Sequence, residues 1–253
     1  MQRADLLLVE LGFAQSRTHA QRMIKNNQVT AFFKGRWQCL SKPGIKLESS
    51  TEFKIEQADI DRFVSRGAVK LQAALELNIV DPANKVAIDV GQSTGGFTDC
   101  LLQAGVAKVV GIEVGHDQLA EKLREDSRVT CYEGMNAREL PSDLSQAHTE
   151  GRGFDLAVMD VSFISQTKIL PSLAPLIAPN GYLITLVKPQ FEVGKEGIGR
   201  GGIVKDTSLY PEVQSLIEKC CLSLELEPDT YIPSPIKGGD GNQEFLLIAK
   251  KKG

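Results

Sequence analysis

The chain has 253 residues, 42% of them hydrophobic and 24% charged, with a net charge of −3. That suffices for one large α/β domain and a small one, and it excludes a disordered chain. No apolar run reaches membrane-spanning length, and Arg3, Asp5 and Glu10 interrupt the N-terminus where a signal peptide would be apolar, so a cytoplasmic protein is expected.

Five cysteines (Cys39, Cys100, Cys131, Cys220, Cys221) without C-x-x-C spacing predict reduced, buried thiols, and three scattered histidines speak against a metal site. In chain order, Ala4 to Gly12 reads as a short helix closed by glycine. Ser16 caps a second helix running to about Lys25, Val29–Phe33 and Phe53–Ile55 read as strands, and Lys42-Pro-Gly44 is a turn between them. Between Leu11 and Leu47 stand seven basic residues, Arg17, Arg22, Lys25, Lys34, Arg36, Lys42 and Lys46, and no acidic one. Such a segment suits phosphates, although a solvated basic face without a partner has the same composition. Phe32, Phe33 and Trp37 lie among these cations, where aromatic rings can stack on bases; Phe32 and Phe33 suit the core of so small a unit equally well. The expected division is a unit at 1–60, a linker at 61–67 and a second domain at 68–253.

The second domain begins with an amphipathic helix from Ala68 to Leu77 that carries Lys70, by default a solvated helix lysine. The strand ending in Asp89 and Val90 then runs into a turn built on Gly91, Gly95 and Gly96, and helical spacing resumes at Phe97. The next strand, Lys108–Glu113, ends in a carboxylate placed to accept hydrogen bonds from two ribose hydroxyls. The turn's glycines fall first, fifth and sixth, unlike a dinucleotide fingerprint, and no Gly-Lys-Ser/Thr follows to meet a triphosphate. A nucleoside cofactor without phosphates fits better, S-adenosylmethionine (SAM) being the common one; a tight turn that binds nothing remains compatible.

Beyond the turn come helix His116 to about Glu125, strand Val129 to Tyr132, strand Phe154 to Asp160, helix Gln166 to Ile177 and strand Tyr182 to Val187. Helix Thr207 to Leu224 and two terminal strands complete the domain. This alternation predicts a mostly parallel sheet covered on both faces, with an antiparallel finish.

At the strand ends stand Asp160, Lys188 and Glu244. A lysine closing an apolar strand is costly to bury unpaired, so carboxylates are expected beside it. Lysine and carboxylates together suit removal of a proton from a weak acid such as a ribose 2′-hydroxyl; methyl transfer then needs position and charge rather than a covalent intermediate. An ion pair that merely closes the sheet edge uses the same residues.

The segments Arg3-Ala-Asp-Leu-Leu-Leu, Gly12-Phe-Ala-Gln-Ser-Arg17, Ala20-Gln-Arg-Met-Ile24 and Lys42-Pro-Gly44 resemble, in order, the RNA-binding domain of ribosomal protein S-four. The family's Gly-x-Val-x-Val-Asn-Gly hairpin is replaced by Asn27 to Gly35. Ser65-Arg-Gly-Ala-Val-Lys-Leu71 resembles the opening of FtsJ-like methyltransferase domains. Asp89-Val-Gly-Gln-Ser-Thr-Gly-Gly-Phe-Thr-Asp-Cys-Leu101, Met159-Asp-Val-Ser-Phe-Ile-Ser165, Leu186-Val-Lys-Pro-Gln-Phe-Glu192 and Gly241-Asn-Gln-Glu244 resemble the haemolysin-A-like (TlyA) family of ribosomal RNA 2′-O-ribose methyltransferases.

The resemblance implies a Rossmann-like SAM-dependent methyltransferase fold, a seven-stranded mostly parallel sheet with an antiparallel last strand, behind a small α+β RNA-binding domain. It implies a catalytic tetrad of Lys70, Asp160, Lys188 and Glu244, in which Lys188 is the base, Asp160 and Glu244 orient it, and Lys70 positions substrate. SAM would be held by Asp89, Gly91, Ser93, Thr94, Gly95, Gly96, Phe97, Glu113 and Asp160. Ribosomal RNA or a ribosomal subunit would be the partner, met by the seven cations above and Arg66. The implied target is a large-subunit cytidine, as in members that start at the RNA module; no membrane, no metal and a monomer are assumed. Gln92 stands where the family commonly has alanine, and its side chain is expected beside the ligand. The polar, glycine-rich 191–202 segment reads as a mobile loop that orders on RNA. A non-catalytic ribosome-assembly factor with a vestigial pocket is the alternative, and a membrane-lytic protein a more distant one.

Overall fold

A computed structural model describes residues 1–14, 16–25, 27–55 and 62–253, which fall into two compact units, Met1–Arg62 and Phe63–Gly253. The first unit contains β1 (Gln2–Arg3), α1 (Ala4–Glu10), α2 (Arg17–Lys25), β2 (Val29–Phe33), β3 (Arg36–Cys39), β4 (Lys46–Leu47) and β5 (Phe53–Ile55). Ser16 accepts the His19 N–H at 3.2 Å and so caps α2, while the first amides of α1 are taken up by the Pro43 and Ile45 carbonyls of the turn. Leu7, Leu8, Met23, Ile24, Val29 and Leu40 form the core, against one face of the antiparallel sheet β3-β2-β5. β3 was invisible in the sequence because three of its four residues are exposed, so no two-residue apolar alternation marks it.

The second unit opens on α3 (Gly67–Leu75), followed by β6 (Val86–Val90), α4 (Gly96–Gln103), β7 (Lys108–Glu113), α5 (Glu121–Arg124), β8 (Val129–Glu133), α6 (Leu144–Thr149) and β9 (Phe154–Met159). Then come α7 (Leu170–Leu173), β10 (Ile177–Val187), α8 (Tyr210–Ser223), β11 (Leu226–Pro233) and β12 (Phe245–Lys251). The sheet has the order β11-β12-β10-β9-β6-β7-β8, and β12 runs antiparallel to both its neighbours. Strand order reverses between β6 and β9, where open α/β sheets form a crevice at their carboxyl ends. Alternate residues feed two cores: Ile88, Ala157 and Leu183 with α7 and α8 on one face, Ala87, Leu156 and Ile184 with α3 and α4 on the other.

Several boundaries differ from the sequence reading. The expected 166–177 helix is broken into 3₁₀ turns around α7, because Pro171 and Pro175 cannot continue a helical ladder. β10 begins at Ile177 and carries a register shift before Tyr182, and only Glu121–Arg124 of the helix expected from His116 is helical. Of the expected linker, residue 61 lies outside the described residues. Phe63 is buried in the second unit's core and the Val64 N–H donates to Asp99 at 2.8 Å. All five cysteines are free, but only Cys100 and Cys221 are buried; Cys131 and Cys220 are half-buried and Cys39 is exposed on the edge strand. Among the described residues no helix is long and apolar enough to cross a membrane, and no cluster of three or more metal-ligating side chains occurs.

Candidate active site

The Gly91–Gly96 turn connects β6 to α4 at the reversal point. Gly91 has φ +82°, and a Cβ there would stand 2.5 Å from the Asp160 carbonyl oxygen, so only glycine lets β6 and the end of β9 approach this closely. Glu113, at the end of β7, accepts the Ser93 and Gly115 N–H groups, each at 2.8 Å, which fixes its carboxylate toward the turn. A cavity of about 530 Å³ opens here, lined by Gly91, Ser93, Glu113 and Asp160 and walled by apolar Ile112, Val114, Ala137 and Ile169.

A second cavity of about 240 Å³ shares Gly91, Ser93, Asp160 and Ser162 with the first and adds Thr94, Gly96, Phe97, Lys70 and Lys188. A third, of about 560 Å³, shares Lys70, Ser162 and Lys188 with the second and is closed by Gln190, Asp240 and Glu244. Ser162 borders all three, and the two lysines line the second and the third.

Each lysine has a carboxylate partner. Lys188 Nζ lies 2.6 Å from Asp160 Oδ1 and donates to Ser162 Oγ at 2.8 Å. Lys70 Nζ donates to Glu244 Oε2 at 2.5 Å, and both residues are buried. This corrects the expected pairing: Glu244 orients Lys70, not Lys188, because α3 packs on β10 and β12 and brings Lys70 to the residue that precedes β12. Lys70 is also far from a solvated helix lysine.

Asp89 and Gly95 line none of these cavities. Gly95 instead makes room for Leu119 and Leu123, which a side chain there would hit. Asp89 is fully buried behind the turn, where its Oδ2 accepts from Thr98 Oγ1 at 2.7 Å and its Oδ1 has no partner. Burial, with smaller contributions from the charges of Asp160 and Glu113, pushes this carboxyl up to about 7 against the opposing Thr98 hydrogen bond. Between the unfolded carboxylate value near ~4 and that raised value, the folded chain holds a proton that the unfolded chain has lost. The stability tied to that proton is therefore complete below ~4 and falls by roughly 1.4 kcal/mol per pH unit as pH rises toward 7. Asp89→Asn, which mimics the protonated acid, is expected to flatten urea-unfolding stability across this window and to be more stable than wild type at pH 8. A wild-type-to-variant difference that does not change with pH would contradict the assignment.

Gln92 lines the second cavity, with its amide fixed by the neighbouring elements. Its buried side chain donates to Thr98 Oγ1 at 2.8 Å and fills the space above Gly111, where a Cβ would collide with it. The segment 191–202 carries its own backbone bonds and a tie to Asn242. Ile198 bridges Val204, the Gly199 N–H donates to Ile203 O at 2.7 Å, and Asn242 ties the far side by accepting from Val204 N and donating to Gly202 O.

Ser65, Gly67, Ser162 and Gln190 also line these cavities; all four stand inside the motifs given above without a role, and residues just past the ends of β9 and β10 are where open sheets keep ligands, which points to Ser162 and Gln190. Glu192 accepts from Ser165 Oγ at 2.6 Å and Gln166 N at 2.9 Å, fastening the segment after β10 to the segment after β9. Burial raises this carboxyl above its usual range, opposed by those two bonds.

In the first unit all seven cations of the basic segment are exposed. Arg17 is engaged within the unit: with Arg3 and Gln21 it donates to the buried carboxylate of Asp5, and these four hydrogen bonds hold that carboxyl well below the usual carboxylate range. Asp5 lies outside the stretch whose charge the sequence reading counted. Arg66 belongs to the second unit, exposed directly before α3 and next to Ser65 and Gly67 of the second cavity.

The comparisons with known proteins agree with this geometry. Residues 63–251 match the FtsJ-like methyltransferase family. The Mycobacterium tuberculosis protein named 16S/23S rRNA (cytidine-2′-O)-methyltransferase TlyA is 37% identical across 97% of this chain and 88% of its own length. Hemolysin A of Brachyspira hyodysenteriae is 34% identical across 96% of this chain and 98% of its own length. A solved structure from Streptococcus thermophilus, 38% identical, superposes with a TM-score of 0.72 over 99% of this chain and 88% of that one. A family match over most of the chain, with relatives aligned nearly end to end, establishes that the chain belongs to the FtsJ-like methyltransferases and, among them, to the TlyA family.

Proposed function

We propose that the chain transfers a methyl group from SAM to the ribose 2′-hydroxyl of ribosomal RNA, at a large-subunit cytidine, in the cytoplasm. The observation that carries this reading is that Lys70, Asp160 and Lys188 line one cavity together with Gly91, Thr94 and Gly96 of the turn. Base, cation and turn thus meet at one point.

The residues present fit SAM. The apolar walls of the larger cavity suit a purine, and the Glu113 carboxylate, already held by two backbone amides, keeps lone pairs for ribose hydroxyls. Ser93, Thr94 and Gly96 would receive the amino-acid end in the smaller cavity. Bound there, SAM would supply a methyl carbon on a sulfonium leaving group.

The protein's part is position and charge. Lys188, steered by Asp160 and Ser162, takes the proton of the 2′-hydroxyl from its neutral amine form as the oxygen forms its bond to carbon. Lys70, fixed by Glu244, supplies a positive charge beside the developing oxyanion. The first unit is proposed as an S-four-type RNA-binding domain in which Arg17, Arg22, Lys25, Lys34, Arg36, Lys42 and Lys46 meet phosphates; in the second unit, by itself, Arg66 is proposed to meet RNA. Mapping of ribose methylation in ribosomal RNA from cells with and without the gene tests the reading. A cytidine methylation that disappears with the gene is expected, and an unchanged map overturns it.

A further inference from the structure

The outer face of the small sheet is built unlike its inner face. Along β2, Val29, Ala31 and Phe33 point to the core, whereas Phe32 points outward and is 42% exposed. Its cross-strand neighbour Trp37 is 37% exposed, with the two rings edge-on at 5.5 Å. The Lys54 ammonium sits 4.3 Å over the Trp37 ring, and Lys34 and Arg36 are exposed at the hairpin end beside the aromatic pair. Glu52, whose carbonyl accepts the Phe32 N–H, brings one acidic side chain to the border. The core of this unit is completed by other residues, so packing does not account for two large rings in water.

We propose that this face, Phe32 and Trp37 flanked by Lys34, Arg36 and Lys54, is a stacking platform for unpaired bases of single-stranded RNA. It rests on the reading that the chain binds RNA, and it assigns a surface distinct from the basic helix α2. Aromatic faces accept any base, and the surrounding cations meet the phosphates that connect successive bases. A base that stacks on Trp37 moves the flexible Lys54 ammonium from the ring onto a neighbouring phosphate. Paired bases are already stacked inside a duplex, so the face discriminates against double-stranded RNA.

Trp37 is the chain's only tryptophan, so its fluorescence reports the event directly. Full-length protein is titrated with a single-stranded RNA of roughly ten nucleotides and with the same strand as a duplex, binding being followed independently through a label on the RNA. Quenching of Trp37 by the single strand, absent with the duplex, is expected. The double variant Phe32→Ala/Trp37→Ala should bind the single strand on the order of tenfold or more weakly. Its log-affinity slope against log salt should be unchanged, because no cation is lost, whereas Lys34→Ala/Arg36→Ala lowers that slope. Phe32→Tyr/Trp37→Phe keeps the rings and should keep the affinity. Unaltered emission at saturating RNA overturns the proposal, as does a double-alanine affinity within twofold of wild type. Because quenching needs no substitution, a poorly folding variant leaves the test intact. Methyl transfer to ribosomal RNA without quenching would remove the platform and leave the proposed function standing.

Discussion

Lys188→Met is expected to lower methyl transfer by about 10²- to 10⁴-fold, the usual contribution of a positioned general base. Affinity for SAM should remain within a few-fold, because the groups proposed to hold it, Glu113 and the turn backbone, do not touch Lys188 Nζ. Methionine keeps the length of the stem, so the packing at the end of β10 survives and the loss reports chemistry. Lys188→Arg separates two roles for the same side chain. A guanidinium can still pair with Asp160 and Ser162 but does not release its proton in a protein. If Lys188 is the base, the arginine variant is as inactive as the methionine variant; wild-type activity from arginine would reduce Lys188 to a fixed positive charge. Both variants are read out by single-turnover transfer alongside calorimetry with SAM.

Glu244→Leu is expected to be the most destabilising single change in the site. Lys70 and Glu244 retain only 10% and 3% of their side-chain exposure, so removing the carboxylate leaves a buried ammonium without a counter-charge. Breaking such a pair from one side costs about 3–5 kcal/mol. For a unit of this size each kcal/mol lowers Tm by about 2–4 °C, which gives a fall on the order of 10 °C by calorimetry. Lys70→Leu/Glu244→Leu should recover most of that stability, since an apolar pair of similar volume replaces the ion pair without stranding a charge. It should not recover methyl transfer, because the cation beside the reacting oxygen is gone. Recovery of both would make the pair a structural closure of the sheet and nothing more.

The pairing of these four side chains is the part of the site that the sequence could not supply. The strand pattern placed Asp160, Lys188 and Glu244 at carboxyl ends or entrances, and the motifs added Lys70, but which carboxylate faces which lysine depends on α3 packing over β10 and β12. The sheet itself was legible because apolar strands buried on both faces alternate with helices, a local signal. Its boundaries slipped where local chemistry was mixed, as at Pro171 and Pro175, and at an edge strand such as β3 that has no buried face. Gln92 shows the same limit: its place in the turn was readable, but its direction was set by Gly111 on the adjacent strand and by Thr98 one turn into α4. The charge of the basic segment was counted correctly, yet Asp5, outside the counted stretch, engages Arg17 through tertiary contact.

The central claim is that the methyl group goes to a ribose oxygen. Ribosomal RNA methylated by the purified chain from labelled SAM, then digested completely with alkali, tests it most directly. Alkaline cleavage needs a free 2′-hydroxyl, so a 2′-O-methyl group protects the linkage that follows it. The label is expected in an alkali-resistant dinucleotide whose 5′ member is cytidine, with none from Lys188→Met. Label recovered in mononucleotides would place the methyl group on a base and contradict the account.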